Sequence, residues 1–138
     1  MLPLPVGHAV GDAGRGGHIL FIGSWVQAIP WPGITAYTVS KAGLEMLARQ
    51  MARELAADRI RVNVVAPGIV DAGLARKQRE DDPSYAARIG KVIPLGRLQT
   101  AGQVAKVTAF LCSNDADYLT GMTLLADGGV SLFQYELE

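Results

Sequence analysis

The sequence predicts an α/β fold in which three parallel strands form a sheet and helices cover it. Three short apolar runs, at residues 18–22, 60–66 and 121–126, are closely followed by glycine or proline and are typical of buried strands. Amphipathic segments at 36–57 and 100–113 separate these runs and are predicted to be helices. Because right-handed β-α-β connections join parallel strands, this order predicts one parallel sheet.

The first strand and the helix after it have clear patterns. The run from His18 to Ile22 lies between two glycines and is apolar on both faces, as expected of a buried strand. In the helix at 36–57, apolar residues recur every three or four positions while charged residues occupy the other faces. These apolar positions are Leu44, Leu47, Ala48, Met51 and Leu55.

The second half of the chain supplies the remaining elements. The run at 60–66 is rich in β-branched residues, which favours a strand. Residues 69–98 have a mixed pattern that predicts one or two short helices. Thr100 and Gln103 match a capping box, which predicts that the last helix starts there. The strand at 121–126 then closes with an Asp-Gly-Gly turn.

Charge and composition argue against several classes of partner. Lys and Arg together number 13, as do Asp and Glu, so no basic field is expected to hold nucleic acid or an anionic membrane. No apolar run is long enough to cross a bilayer. Residues 1–17 have the glycine and proline density of an irregular leader and lack the pattern of a signal peptide.

Cysteine and histidine give little sign of special chemistry. Cys112 is the only cysteine, which excludes an internal disulfide and fits a reducing compartment, so the expected location is the cytoplasm. Its position beside Leu111 predicts a small buried hydrophobe rather than a nucleophile. His8 and His18 have no second ligand at a useful spacing, so no metal site is predicted.

Tyr37 and Lys41 form a candidate acid/base pair. They are four residues apart near the start of the long helix, so both side chains project from one face. A free phenol has a pKa of about 10, and an ammonium about 4 Å away at an effective dielectric of about 20 supplies roughly the 4 kcal/mol needed to bring a phenol to neutrality. The alternative for such a common spacing is a solvated helix face.

Ser24 adds a third polar group to this pair. It follows the first strand, where parallel sheets place their ligands, and it precedes Tyr37 by 13 residues. Its hydroxyl could hold a substrate oxygen for protonation by Tyr37. The alternative is a strand-end serine that bonds to the loop backbone.

With these motifs the chain resembles the short-chain dehydrogenase/reductase family over nearly everything after residue 16. The resemblance rests on five segments in this order: GGHILFIGS, AYTVSKAGLEMLARQMARELA, IRVNVVAPGIV, IPLGRL and VTAFLCSNDADYLTGMTLLADGG. It implies that residues 18–138 form the C-terminal half of a doubly wound, Rossmann-like sheet. The ending favours the single-domain branch, with glucose 1-dehydrogenases and 3-oxoacyl-(acyl-carrier-protein) reductases as the most similar members.

The resemblance also implies a function and the residues that perform it. Such enzymes use NAD or NADP to interconvert a CH–OH group and a carbonyl, here in a sugar, a polyol or a 3-oxoacyl substrate. It implies that Ser24 orients the substrate, that Tyr37 transfers the proton, and that Lys41 lowers the tyrosine pKa and binds the nicotinamide ribose. The backbone around Pro67, Gly68 and Ile69 is implied to border the nicotinamide. A homo-oligomer, a dimer or tetramer formed through helices 36–57 and 100–113, is also implied.

Three departures from the family pattern lead to an alternative expectation. The Gly-rich phosphate loop and the catalytic asparagine segment have no counterpart, and Ala72 replaces a threonine that would help to hold the cofactor. The sequence therefore predicts only the nicotinamide half of the cofactor site. The missing phosphate-binding half also predicts that this chain alone is inactive, although the family it resembles consists of enzymes. The alternative function is that of a truncated chain that serves as a folded or oligomerising module and leaves the edge of its first strand open.

Overall fold

The structure, a computed structural model, describes residues 16–132 apart from several side chains between residues 74 and 90. Most of the predicted irregular leader at 1–17 lies outside the described residues. Of that segment, Gly16 and Gly17 are described, and Gly17 already belongs to the first strand.

A parallel sheet of three strands confirms the predicted α/β fold. The strands are β1 at Gly17–Ile22, β2 at Ile60–Pro67 and β3 at Thr123–Ala126, in the spatial order β1-β2-β3. Both pairs are parallel, so the carboxyl ends of the strands share one edge of the sheet. β3 starts two residues later than predicted, because Gly121 has a left-handed φ of 71° that a strand residue does not adopt.

Four α-helices connect and cover the strands in the described residues. Helix α1 at Thr35–Leu55 and helix α4 at Ala101–Cys112 lie close to their predicted ranges. Helices α2 at Gly73–Asp81 and α3 at Pro83–Val92 occupy the segment 69–98, where one or two short helices were predicted. Thr100 forms the predicted capping box. Single turns of 3-10 helix occur at Trp25–Gln27, Ala56–Asp58, Asn114–Ala116 and Val130–Leu132. Among residues 16–132, no helix has the length and apolar character needed to cross a bilayer.

The core is divided among the two faces of the sheet and its carboxyl edge. Side chains alternate along β2, so that Val62 and Val64 meet α1 on one face while Val65 meets α4 on the other. The α1 face also contains Phe21, Leu44, Ala48 and Ala52, and the α4 face contains Leu20, Leu111 and Ala116. A third cluster beyond the carboxyl ends is formed by Trp25, Val26, Ile89, Val92, Ile93 and Val130. This third cluster forms one side of the candidate site.

The prediction that Cys112 is buried was wrong. Leu111 is the residue of α4 that is completely buried, whereas Cys112 is exposed. Consecutive residues of an α-helix are separated by about 100° around its axis, so the neighbour of a core residue can point outward. Proximity in sequence to an apolar residue was therefore a poor guide to burial.

His18 is a buried titratable group on the α4 side of the sheet. Its Nε2 atom lies 3.2 Å from the Nδ2 atom of Asn63, whose amide is oriented by donating to the Leu119 carbonyl and accepting from the Met122 N–H. Nε2 therefore accepts a hydrogen bond, and the ring is neutral. Burial, with a smaller contribution from the Arg61 guanidinium, lowers the pKa of His18 from 6.5 to about 4.

This lowered pKa makes stability depend on pH in a specific window. Below pH 6.5 the unfolded chain binds a proton at His18 that the folded chain binds only near pH 4, so stability falls as the pH drops between these values. Between pH 7 and pH 5 the His18 contribution amounts to about 2 kcal/mol of unfolding free energy. We expect His18→Gln, whose amide oxygen can still accept from Asn63, to lose that part of the dependence in urea unfolding. If the unfolding free energies of His18→Gln and the wild type fell equally between pH 7 and pH 5, this account of His18 would be contradicted.

Candidate active site

The first turns of α1 place Tyr37 and Lys41 beside the carboxyl end of β1. The Lys41 Nζ atom donates a hydrogen bond of 2.8 Å to the carbonyl oxygen of Ile22, the last residue of β1. The same nitrogen lies 5.6 Å from the centroid of the Tyr37 ring. One side chain therefore connects the helix, the strand end and the candidate proton donor.

Lys41 retains capacity to bind a ligand. An ammonium has three N–H donors, and within the described residues Lys41 uses one of them for Ile22. Its side chain is partly buried, and this burial lowers the pKa of the Lys41 amine. Partial removal from water also strengthens any electrostatic interaction that the amine makes with a bound group.

Ser24 lies where the backbone leaves β1. The N–H of Gly23 still donates to the carbonyl of Val65, which continues the pairing with β2 for one residue beyond the strand. Ser24 is 7% exposed, and its carbonyl accepts from the N–H of Gln27 in a single helical turn. The position of the serine is thus set by backbone contacts on both sides.

A partly buried polar network holds this turn against α1 and the sheet. The Gln27 side-chain oxygen accepts from the N–H of Ser24 at 3.1 Å, and its amide nitrogen donates to the Glu45 carboxylate at 2.7 Å. Thr123 on β3 donates to the other oxygen of that carboxylate at 3.1 Å. The network therefore connects the Ser24 turn to the helix that carries Tyr37.

Sequence reasoning missed Gln27 and Glu45. A signal for Glu45 was present, because positions 37, 41 and 45 follow one another at helical spacing and share one face of α1. Gln27 lies 18 residues from Glu45 in the chain, so their contact appears only once the fold is known.

The segment after β2 is held closely against the end of β3. The N–H of Gly68 donates to the Ala126 carbonyl at 3.1 Å and to the Gln99 side-chain oxygen at 3.1 Å, while the Gln99 N–H donates to the Ile69 carbonyl at 3.0 Å. A Cβ atom at Gly68 would lie only 2.7 Å from the carbonyl oxygen of Asp127. Glycine is required here by this close approach of two backbones.

The six predicted site residues line one cavity of about 650 Å³ at the carboxyl edge of the sheet. They are Ser24, Tyr37, Lys41, Pro67, Gly68 and Ile69. A volume of this size is typical of a site for a small molecule or part of a cofactor. Further lining residues include Trp25, Trp31, Val70, Ala72, Ala75 and Tyr85. Of these, only Ala72 was expected near the cofactor from the sequence.

The Ser24 network can be tested through stability. Gln27→Ala removes the acceptor of a buried N–H and a donor to Glu45, so we expect it to lower the unfolding free energy by about 1–3 kcal/mol in urea unfolding. Gln50→Ala is the matched control, because Gln50 donates to Glu54 at the same 2.7 Å on the exposed surface of α1. The control should change stability by less than about 0.5 kcal/mol. Equal losses in both variants would contradict a structural role for this partly buried network.

Comparison with known proteins places this architecture among oxidoreductases. A family model described as "Enoyl-(Acyl carrier protein) reductase" matches residues 7–131. The chain is 45% identical over 116 residues to 3-oxoacyl-(acyl-carrier-protein) reductase of Pseudomonas aeruginosa, a match that covers 84% of this chain and 46% of the relative. It is 38% identical over 117 residues to 3beta-hydroxysteroid dehydrogenase 1 of Eggerthella lenta, covering 85% of this chain and 44% of that protein.

The solved structures agree with the sequence comparison. A crystal structure of a putative 2-deoxy-d-gluconate 3-dehydrogenase from Agrobacterium tumefaciens, with bound NADP, superimposes with a TM-score of 0.80 at 33% identity. That match covers 88% of this chain and 49% of the solved chain. The chain spans about half the length of the curated relatives it matches. The extent of these matches and the Rossmann-like arrangement of strands show that this chain belongs to the short-chain dehydrogenase/reductase family.

Proposed function

We propose that this chain carries the proton-transfer site of an NAD(P)-dependent oxidoreductase that interconverts a CH–OH group and a carbonyl. The observation that carries the proposal is the convergence of Ser24, Tyr37 and Lys41, with the backbone after β2, on one cavity. These groups come from separate parts of the chain and meet at the carboxyl edge of a parallel sheet, where such folds bind ligands.

Each polar side chain has a distinct role in this mechanism. The Ser24 hydroxyl, fixed by the turn that Gln27 closes, orients the substrate oxygen by a hydrogen bond. The Tyr37 hydroxyl donates a proton to that oxygen in reduction and accepts it in oxidation. The Lys41 charge, 5.6 Å from the centre of the Tyr37 ring, favours the negative charge that develops on the phenol oxygen when it gives up its proton.

The residues present fit the nicotinamide half of the cofactor. The donors left on Lys41 and the Tyr37 hydroxyl suit ribose hydroxyls, and Pro67, Gly68 and Ile69 supply a backbone and apolar surface for a flat ring. When bound, the nicotinamide supplies or accepts the hydride. The proposal includes both NAD and NADP, because no described residue is assigned to the ribose 2′ position.

Two variants and one control variant test this function. We expect NADH or NADPH to bind in a fluorescence titration, and Lys41→Met to weaken that binding at least about tenfold because it removes charged hydrogen bonds. Lys106→Met, at an exposed position of α4, is the control and should leave binding unchanged. Tyr37→Phe removes one neutral hydrogen bond to the ribose, so it should weaken binding less than Lys41→Met does, but it should lower turnover of a ketone panel by about 10²–10⁴-fold.

Two results would contradict the proposed function. If neither NADH nor NADPH binds at millimolar concentration, the catalytic proposal for this chain fails and the oligomerising module remains. Full turnover in Tyr37→Phe would remove this residue from the mechanism.

We also propose that the chain forms a homo-oligomer through α1. Val39 and Met46 are 64% and 60% exposed, and their separation of seven residues places them on one side of the helix. Exposed apolar side chains aligned in this way favour packing against a second copy.

Charge introduced on this side of α1 should therefore prevent association. We expect Met46→Glu to shift the protein to monomers in sedimentation velocity, because a carboxylate would be buried without a partner. Ala57→Glu adds the same charge beyond the end of α1 and should leave the assembly intact. A wild-type protein that sediments as a monomer would contradict the proposal.

A further inference from the structure

The walls of the cavity differ in character from its reacting end. Beyond Ser24, Tyr37 and Lys41, the lining side chains are mainly aromatic or aliphatic; the largest are Trp25, Val26, Trp31, Ile34, Val70 and Tyr85. Among the described residues that line the cavity, Lys41 is the one with a charged side chain. The substrate end of the site is therefore a surface with few groups for polar recognition.

This composition disfavours a polyhydroxylated substrate. Each hydroxyl of a sugar gives up hydrogen bonds to water on entering a cavity and requires a partner there. The three polar side chains at the reacting end already have tasks in the proposed mechanism, with Ser24 and Tyr37 on the reacting oxygen and Lys41 on the cofactor ribose. Apart from the Tyr85 hydroxyl and the two indole N–H groups, the further hydroxyls of a sugar would face aliphatic and aromatic surface among the described lining residues.

An anionic substrate is disfavoured for a related reason. Carboxylates and phosphates in binding sites are held by arginine forks, several lysines or a helix N-terminus. Lys41 is the one charged side chain in the described lining, and it donates to the Ile22 carbonyl and lies beside Tyr37. Within that lining, no second cation is present to neutralise a substrate charge.

The aromatic wall is held by contacts within the protein. The rings of Trp25 and Trp31 meet edge to face, with centroids 5.1 Å apart and planes at 78°. Trp25 is buried in the third core cluster, against which Trp31 and Tyr85 also pack. Trp31 is the more exposed of the two indoles and precedes Tyr37 by six residues, so its loop leads directly into the reacting end.

From this cavity we infer that the substrate is an uncharged, largely apolar ketone or secondary alcohol, and that Trp31 determines this preference. The inference rests on the proposed function for the identity of the reacting oxygen. The apolar character of the wall depends on the lining residues alone and not on the proposed function. Relatives named for an acyl, a steroid and a sugar-acid substrate show that membership of the family does not fix the substrate.

The chain contains its own reporter for this site. It has two tryptophans, Trp25 and Trp31, and both line the cavity, so intrinsic fluorescence reports occupancy without any cofactor. We expect butanone, hexan-2-one and octan-2-one to change the emission with dissociation constants that fall by about fourfold per added methylene. Glucose and gluconate should leave the emission unchanged over the same concentrations.

Variants of the wall test whether its side chains bind the ketone. Trp31→Ala should weaken octan-2-one at least about tenfold and flatten the dependence on chain length, with Trp25 as the remaining reporter. Ala75→Asp, at the lining face of α2, places a carboxylate in the wall without removing a core side chain and should weaken octan-2-one to a similar degree. Tyr118→Ala, which removes an aromatic ring that is 98% exposed, is the control and should bind as the wild type does.

Several outcomes would overturn the inference. They are tighter binding of glucose or gluconate than of octan-2-one, affinities independent of ketone length, and no response to any ketone up to its solubility. Ketone binding by a chain that fails to bind NAD(P)H would remove the redox function but support the apolar pocket. NAD(P)H binding combined with a preference for glucose would remove this inference and leave the proposed function standing.

Discussion

The site depends on one hydrogen bond, from the Lys41 ammonium to the carbonyl oxygen at the end of β1. It attaches the first turns of α1 to the strand end that leads into Ser24. The position of Tyr37, the proposed acid/base residue, is therefore fixed relative to that of Ser24, the proposed substrate-orienting residue. The same amine lies over the Tyr37 ring. Partial burial makes both interactions stronger than they would be at a fully solvated surface.

A second set of contacts keeps this arrangement from loosening. Gln27, Glu45 and Thr123 join the serine turn, the helix and the last strand through side-chain hydrogen bonds. On the opposite side, the backbone of Gly68 packs against the end of β3 too closely for any side chain. The cavity therefore lies between two supports that are held by hydrogen bonds and close packing. Such rigidity suits a site that needs preorganised groups.

The sequence predicted the elements well because their signals are local. Hydrophobic period, β-branched runs and the capping box at Thr100 act over a few residues, and each produced the expected element. The pairing of Tyr37 with Lys41 was also visible, since one helical turn separates them. Their roles and that of Ser24 came from the resemblance to a family and remain proposals.

Contacts between residues far apart in the chain could not be predicted from the sequence. Gln27 meets Glu45 and Thr123 from 18 and 96 residues away, and no local pattern indicates such pairs. Cys112 is exposed although its neighbour Leu111 is completely buried, because consecutive helical residues point in different directions. The apolar wall is likewise assembled from loop, helix and strand-end residues, so the scarcity of charged side chains among its described residues became evident only when the fold brought them together.

Carbon-13 NMR titration of the Lys41 side chain, with and without NADPH, tests the central claim most directly. We predict a pKa below that of a free lysine, because the amine is partly buried at the end of β1, and resonances that shift when NADPH is added. An ordinary lysine pKa for Lys41, with resonances that NADPH leaves unmoved, would contradict the account of the site.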